Sequence, residues 1–160
     1  MKTTITAMIA IFSIALFAFT APIATLKVDA STSQVTWKGY KVTGNHEGTI
    51  DVKSGSILVE DGKLVGGNFV IDVTSLKCTD LSGGMAGKLE GHLKSPDFFG
   101  VEDHPEASFV ITKIAPRGPE GSYKVTGDIT IKGVTKEIRF NTQLTEENGS
   151  TVATANLELD

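Results

Sequence analysis

A single cysteine, Cys78, stands among 160 residues, so no intramolecular disulfide staples the chain, and its fold has to rest on core burial and backbone pairing. A basic excess is missing too: fifteen Lys plus Arg face nineteen Asp plus Glu, for a formal net charge of −4. That balance offers nothing to track a phosphate backbone, and nucleic acid is excluded as an expected partner. The apolar run from Met8 to Phe19 is about twelve residues, where a membrane-spanning helix needs about 20. Catalytic signatures are absent as well. There is no Gly-x-Ser-x-Gly elbow, and Gly83-Gly84-Met85-Ala86-Gly87 lacks the Gly-Lys-Ser/Thr ending of a phosphate loop. His46-Glu47-Gly48-Thr49-Ile50 begins like a zinc-protease helix but has no second His four residues after the first. Neither a metal nor a cofactor is expected. With 40% hydrophobic and 21% charged residues, the composition is that of one modest globular domain, not of a collagen, a coiled coil or a disordered tail.

What is there begins with an export pattern. Lys2 in a short charged start, the apolar run from Met8, and small residues ending near Ala21-Pro22 read as a secretory signal peptide over residues 1–21. The mature domain is then residues 22–160. No Cys closely follows the apolar run, so neither lipid attachment nor a stable membrane anchor is expected after cleavage. The expected location is periplasmic or secreted.

From Leu26 onward apolar and polar residues alternate with period two, the mark of strands with one buried and one wet face. Strands are predicted over Gln34 to Thr43, Glu47 to Val52, Ser56 to Val59, Leu64 to Val73, Glu106 to Ile114, Tyr123 to Ile131, Lys136 to Leu144, and from Thr151 on. Asp61-Gly62, Lys132-Gly133 and Asn148-Gly149 are the predicted tight turns, and Gly66-Gly67 a bulge or bend. The last of these turns also explains Asn148-Gly149-Ser150 without invoking glycosylation. Only Thr74 to Gly100 breaks the pattern: Met85, Leu89 and His92-Leu93 share helical spacing, and Pro96 ends that segment. The fold class is therefore all-β, an antiparallel barrel or sandwich of about eight strands with a short helical insertion around residues 84–100.

Alternation turns Trp37, Phe69, Ile71, Phe109, Ile111, Tyr123, Val125, Ile129 and Phe140 inward, as candidate pocket-facing residues, with Gly39 and Gly127 leaving space between them. An eight-stranded barrel is wide enough either to be filled by side chains or to hold one small ligand, and periodicity does not choose. Asp80, His92 and Asp97 sit in or beside the helical interruption, where they would form a polar pocket mouth or orient loops. A lone thiol at a strand end reads as structurally neutral, and Cys78 is expected to be so; activation by the neighbouring Lys77, which would lower its pKa, is the alternative.

Particular words then matter more than periodicity. Trp37 with Gly44-Asn45-His46-Glu47-Gly48-Thr49, Gly67-Asn68-Phe69-Val70-Ile71-Asp72, and Leu89-Glu90-Gly91-His92-Leu93-Lys94-Ser95-Pro96-Asp97-Phe98-Phe99 come in this order. They are followed by His104-Pro105-Glu106-Ala107-Ser108-Phe109 and by Gly127-Asp128-Ile129-Thr130-Ile131-Lys132-Gly133-Val134-Thr135-Lys136. Together, over Leu26 to Asp160, they resemble the YceI-like family of lipocalin-like, polyisoprenoid-binding periplasmic proteins, and the Gly-x-His-Glu-Gly-Thr pattern resembles its Bacteroidetes-like variant. The resemblance implies an eight-stranded antiparallel barrel around a long pocket for a polyprenyl quinone or a related amphiphile, in a carrier without established catalysis. Two departures stand out. His104 occupies a position where members commonly carry Tyr, and members continue past Asp160, so a C-terminal strand is expected beyond the sequence.

The expected function is an exported carrier for a polyisoprenoid or isoprenoid quinone, with a lipophilic small molecule as partner and a homodimer left open. Three alternatives stand beside it: a fatty acid or fatty amide binder, a small hydrolase or isomerase using His92 with Asp80 or Asp97, and a closed-core stress-response protein.

Overall fold

The structure, a computed structural model, describes residues 22–42 and 44–159; the expected signal peptide lies outside the described residues. The elements are β1 (Ala24–Lys27), β2 (Gln34–Lys41), β3 (Gly44–Glu60), β4 (Lys63–Cys78), α1 (Gly83–Lys94), β5 (Glu106–Pro116), β6 (Ser122–Ile131), β7 (Val134–Glu147) and β8 (Ser150–Asn156). The strands form one antiparallel sheet in the order β1-β3-β4-β5-β6-β7-β8, with β2 also paired to β3. β2 pairs with Gly44–Asp51 and β1 with Ser56–Val59, so the two lie end to end along one edge of β3. Eight strands thus fill seven positions, and the sheet curls into a half-barrel. Among the described residues β8 pairs with neither β1 nor β2, and the barrel is open between them.

Each tight hairpin is set by residues that tolerate positive φ. Asp61-Gly62 (φ 49° and 72°), Lys132-Gly133 (49° and 72°) and Asn148-Gly149 (51° and 79°) all adopt it at both central positions, which matches the strand twist. The alternation that these turns bracket is a true register signal. Phe69 pairs with Phe109, and Phe109 with Ile129. Ile114 pairs with Val125, and Val125 with Phe140. Trp37 pairs with Gly48, and Gly48 with Cys78. All nine candidate pocket residues therefore share one face of the sheet, its inner face.

The two ends of that face differ. At the end holding the β3–β4 and β7–β8 turns, Ile57, Leu64, Tyr123, Val125 and Leu144 are buried together with Phe109. The Tyr123 hydroxyl accepts a 3.2 Å hydrogen bond from the Leu64 amide there. At the other end lie the β2–β3 and β6–β7 turns and α1, which packs on β4. The chain after α1 reaches the β6–β7 turn, where Lys132 Nζ donates to the Pro96 carbonyl at 2.6 Å.

Several boundaries depart from the sequence reading for identifiable reasons. The runs at Glu47 to Val52 and Ser56 to Val59 are one strand, because Lys53-Ser54-Gly55 forms a bulge between Val52 and Ser54 rather than a turn. β4 continues past Val73 to Cys78 across a kink, in which Asp72 Oδ1 accepts from the Thr74 amide and hydroxyl, at 3.0 and 2.6 Å. The register shift between Leu58 and Val59 places the expected irregularity beside Gly66. The helix ends at Lys94, ahead of Pro96, and a bend at Ser95 with a turn over residues 96–99 completes the predicted insertion.

Candidate functional site

The inner face is an apolar trough whose filling is uneven: a cluster at the β3–β4 turn end is buried, as are Val52, Ala107 and, beside α1, Leu76 and Cys78, while other apolar side chains of the face are not. Val125 is 1% exposed and Tyr123 6%, whereas Phe69, Ile111, Ile129 and Phe140 pack against the same cluster yet remain only half-buried. Ile71 and Trp37, nearer the α1 end, are also half-buried. Phe109 and Phe140 meet in a tilted pair, with ring centroids 5.3 Å apart. One expectation is corrected here. Gly127 does not leave space for a ligand: a Cβ there would lie 2.3 Å from Phe109 Cζ, so the ring already occupies the notch. Gly39 does leave room, since the nearest atom to a Cβ there would be Trp37 Cζ3 at 3.9 Å.

Trp37 is fixed by backbone on either side. Its Nε1 donates to the Thr49 carbonyl at 3.3 Å and to the Lys77 carbonyl at 3.1 Å. The indole lies so close over β3 that a Cβ on Gly48 would fall 2.6 Å from the ring and 1.8 Å from the Lys77 carbonyl oxygen. Only glycine fits there.

Beyond Trp37, on the same face, the trough turns polar. His46 Nδ1 and Asp80 Oδ2 are 2.9 Å apart, and Lys41 Nζ is 2.9 Å from His46 Nε2. A lysine ammonium has only protons to give, so Nε2 accepts from Lys41 and Nδ1–H donates to the Asp80 carboxylate. Asp80 Oδ1 also accepts from the Glu47 amide at 3.1 Å and from the Cys78 thiol at 3.0 Å. These donors, the thiol first and then His46, hold the Asp80 carboxyl well below the usual carboxylate range. Glu90 on α1 accepts the Cys78 amide proton at 2.8 Å and ties the helix to the strand end.

Of the expected mouth residues, only Asp80 belongs to this group. Its hydrogen-bond partners are His46, Cys78 and the Glu47 amide, not His92. His92 is exposed near the end of α1, 6.3 Å from the Phe98 ring centroid, and the Asp97 amide takes part in a turn with Ser95 Oγ. Lys41 and His46 were missing from the expected set; the signal available was their shared phase with Trp37 and Gly39 on β2 and β3. The alternative in which Lys77 activates Cys78 finds no support. Burial, and then the bond to ionised Asp80, push the thiol up. Among the described residues no three His, Cys, Asp or Glu side chains converge as a metal site.

Two surface clefts lie apart from the trough's apolar lining. One of about 300 Å³ is bordered by Gly91, Lys94–Pro96 and Gly100–Asp103, and a wider one of about 710 Å³ by Ala30–Gln34, Asp51, Val52 and Asp72. The second is lined mostly by polar residues, which suits water better than an apolar chain.

Comparison with known proteins fits this geometry. The profile of the YceI-like domain family matches residues 26–160. A UPF0312 protein of Photorhabdus laumondii is 45% identical over 56 residues, which are 35% of this chain and 28% of that protein. One from Vibrio parahaemolyticus is 36% identical over 76 residues, 48% of this chain and 36% of the relative. The aligned stretches thus span about a third of the curated relatives' length. The crystal structure of Burkholderia cenocepacia BcnA superposes with a TM-score of 0.63 at 25% identity, covering 80% of this chain and 77% of that one.

Proposed function

The chain belongs to the YceI-like domain family, and from that premise we propose that it is an exported carrier which lays a long apolar ligand, a polyisoprenoid or an isoprenoid quinone, along the inner face of its half-barrel. Family and fold both suggest a binding protein. The observation that carries the reading is the uneven filling of one face: Tyr123, Val125 and Leu144 are buried, while five large apolar side chains of the same face, Phe69, Ile71, Ile111, Ile129 and Phe140, stay half-buried. An apolar surface left partly wet gains when an apolar chain covers it. At about 0.8 kcal/mol per buried carbon, each five-carbon isoprene unit contributes about 4 kcal/mol before ordering costs reduce it. Export rests on the signal-peptide pattern of residues 1–21 and gives a periplasmic or secreted protein.

YceI-like and UPF0312 proteins are not known enzymes, and the alternative built on His92 with Asp80 loses support because Asp80 is engaged by His46 and Cys78. The test is the native mass of protein purified from its own host, followed by organic extraction and displacement of diphenylhexatriene, a hydrocarbon fluorophore. Extra mass that extracts as lipid is expected. Protein with no extra mass and no displaceable fluorophore would overturn the carrier reading. Cell fractionation tests export: the chain is expected outside the cytoplasm and shortened at its N-terminus, and a full-length cytoplasmic chain refutes that part.

A further inference from the structure

The trough does not stay apolar to its end, and its polar end is built. The phase that faces Val35 and Trp37 inward on β2 continues through Gly39 to Lys41, and the phase of Gly48 on β3 continues back to His46. Gly39 pairs with His46 and carries no side chain, so an unfilled space lies between the indole of Trp37 and the Lys41–His46 pair. Lys41 is held by His46, and His46 by Asp80, through two 2.9 Å contacts. One Lys41 proton is committed to His46, which leaves two donors. The two carboxylates bonded into this end act as acceptors: Asp80 accepts from three donors, and Glu90 Oε1 accepts from the Cys78 amide.

Charge decides what those donors suit. The single positive charge of Lys41 is balanced through the imidazole by Asp80, and Glu90 adds a second carboxylate. The cluster therefore has no spare positive charge to attract an anion, but it does have free N–H donors. We infer that Lys41, positioned by His46 and Asp80, binds the head group of the carried amphiphile, and that this head group is uncharged and presents an acceptor oxygen, as a ketone, quinone, ester or amide carbonyl does. The inference rests on the carrier reading and adds to it a head-group subsite, its residues and a preference between ligand classes. The apolar tail would then run from Trp37 along Phe69 and Phe109, with the carbonyl at the α1 end.

Three chains of equal length test this in competition with diphenylhexatriene on the purified protein: pentadecane, 2-pentadecanone and pentadecanoate. The wild type is expected to bind the ketone about tenfold more tightly than the hydrocarbon, the size of one charge-assisted hydrogen bond, and more tightly than the carboxylate. Lys41→Met keeps the stem and removes the donor, so it should erase the ketone preference while leaving pentadecane affinity unchanged. That unchanged affinity also reports that the variant is folded. His46→Ala should reduce the preference without abolishing it, as befits a positioning residue. A ketone-to-hydrocarbon ratio equal in wild type and Lys41→Met overturns the subsite, and so does a wild type that ranks the carboxylate first. If none of the three displaces the fluorophore from the wild type, the carrier reading itself fails, and the subsite with it.

Discussion

Replacing glycine by alanine at two positions should move stability in opposite directions, and the reason lies in what each new methyl group meets. At Gly127 on β6, a Cβ would lie 2.3 Å from Phe109 Cζ and 2.5 Å from the Val110 carbonyl oxygen. Neither obstacle retreats easily. The Phe109 ring is buried and leans on Phe140 at 5.3 Å, and the Val110 carbonyl is part of the β5–β6 ladder. Overpacking of this kind costs about 1–3 kcal/mol, and a backbone obstacle puts Gly127→Ala near the top of that range. At Gly87, inside α1, nothing lies within 4 Å of the new Cβ, so only helix propensity changes, and Gly87→Ala should gain about 0.8–1 kcal/mol. Urea titration reads both. With a slope of about 1.5–2 kcal/mol/M, the midpoint should fall by about 1.5–2 M for the first variant and rise by about half a molar for the second. Adding Phe109→Leu to Gly127→Ala separates the two obstacles, since recovery assigns the clash to the ring and no recovery assigns it to the carbonyl. An unchanged midpoint for Gly127→Ala would refute the packing described for the filled part of the trough, and a destabilised Gly87→Ala would refute the claim that this helix face is open.

Asp80 supplies a pH dependence. Its folded pKa is depressed, so between the folded and unfolded values the unfolded chain binds more protons, and stability falls as pH falls below about 4. Asp80→Asn should be less stable at pH 7, and its deficit should shrink on acidification; a gap that is constant with pH counts against the assignment. Cys78 should react slowly with Ellman's reagent in the folded protein, because the thiol is buried and pushed up, and faster in Glu90→Ala, which unties α1 from the Cys78 amide. Equal rates in both would show that the helix does not guard the thiol. Trp37→Phe deletes the Nε1 bonds to Thr49 and Lys77 and should cost about 1 kcal/mol in urea titration. As the chain's one tryptophan, Trp37 should also shift its emission to shorter wavelength as an apolar ligand fills the trough, and a saturable ligand that leaves the spectrum unmoved would place the ligand elsewhere.

Strand identity and facing were legible because both are local. Asp61-Gly62, Lys132-Gly133 and Asn148-Gly149 state where the chain reverses, and period-two alternation states which side chains share a face. Bulges are where local reading loses its hold. Read straight through, Glu106 to Ile114 places Lys113 inward after Ala107, Phe109 and Ile111. The irregularity between Ile111 and Lys113 instead turns Lys113 out and brings Ile114 onto the face shared with Val125. Nothing in the composition of Val110-Ile111-Thr112-Lys113 announces it, because the bulge answers the curvature of a sheet that exists only once its neighbours are paired.

The polar end was less legible for a related reason. Asp80 and His92 are close in sequence and both flank the helical segment, which made them natural partners. His46 is 34 residues from Asp80, and Lys41 lies across a hairpin from His46. What brings the three together is register alone: Gly39 opposite His46 on one side of β3, and Gly48 opposite Cys78 on the other. The same pairings press the Trp37 indole over Gly48, so the aromatic floor of the trough and the cluster beyond it depend on one alignment of three strands. A single-residue slip of β2 on β3 would carry Lys41 and Trp37 outward together, which means that any variant disturbing that hairpin has to be judged by both sites at once: Trp37 emission reports the floor, and the ketone preference reports the cluster.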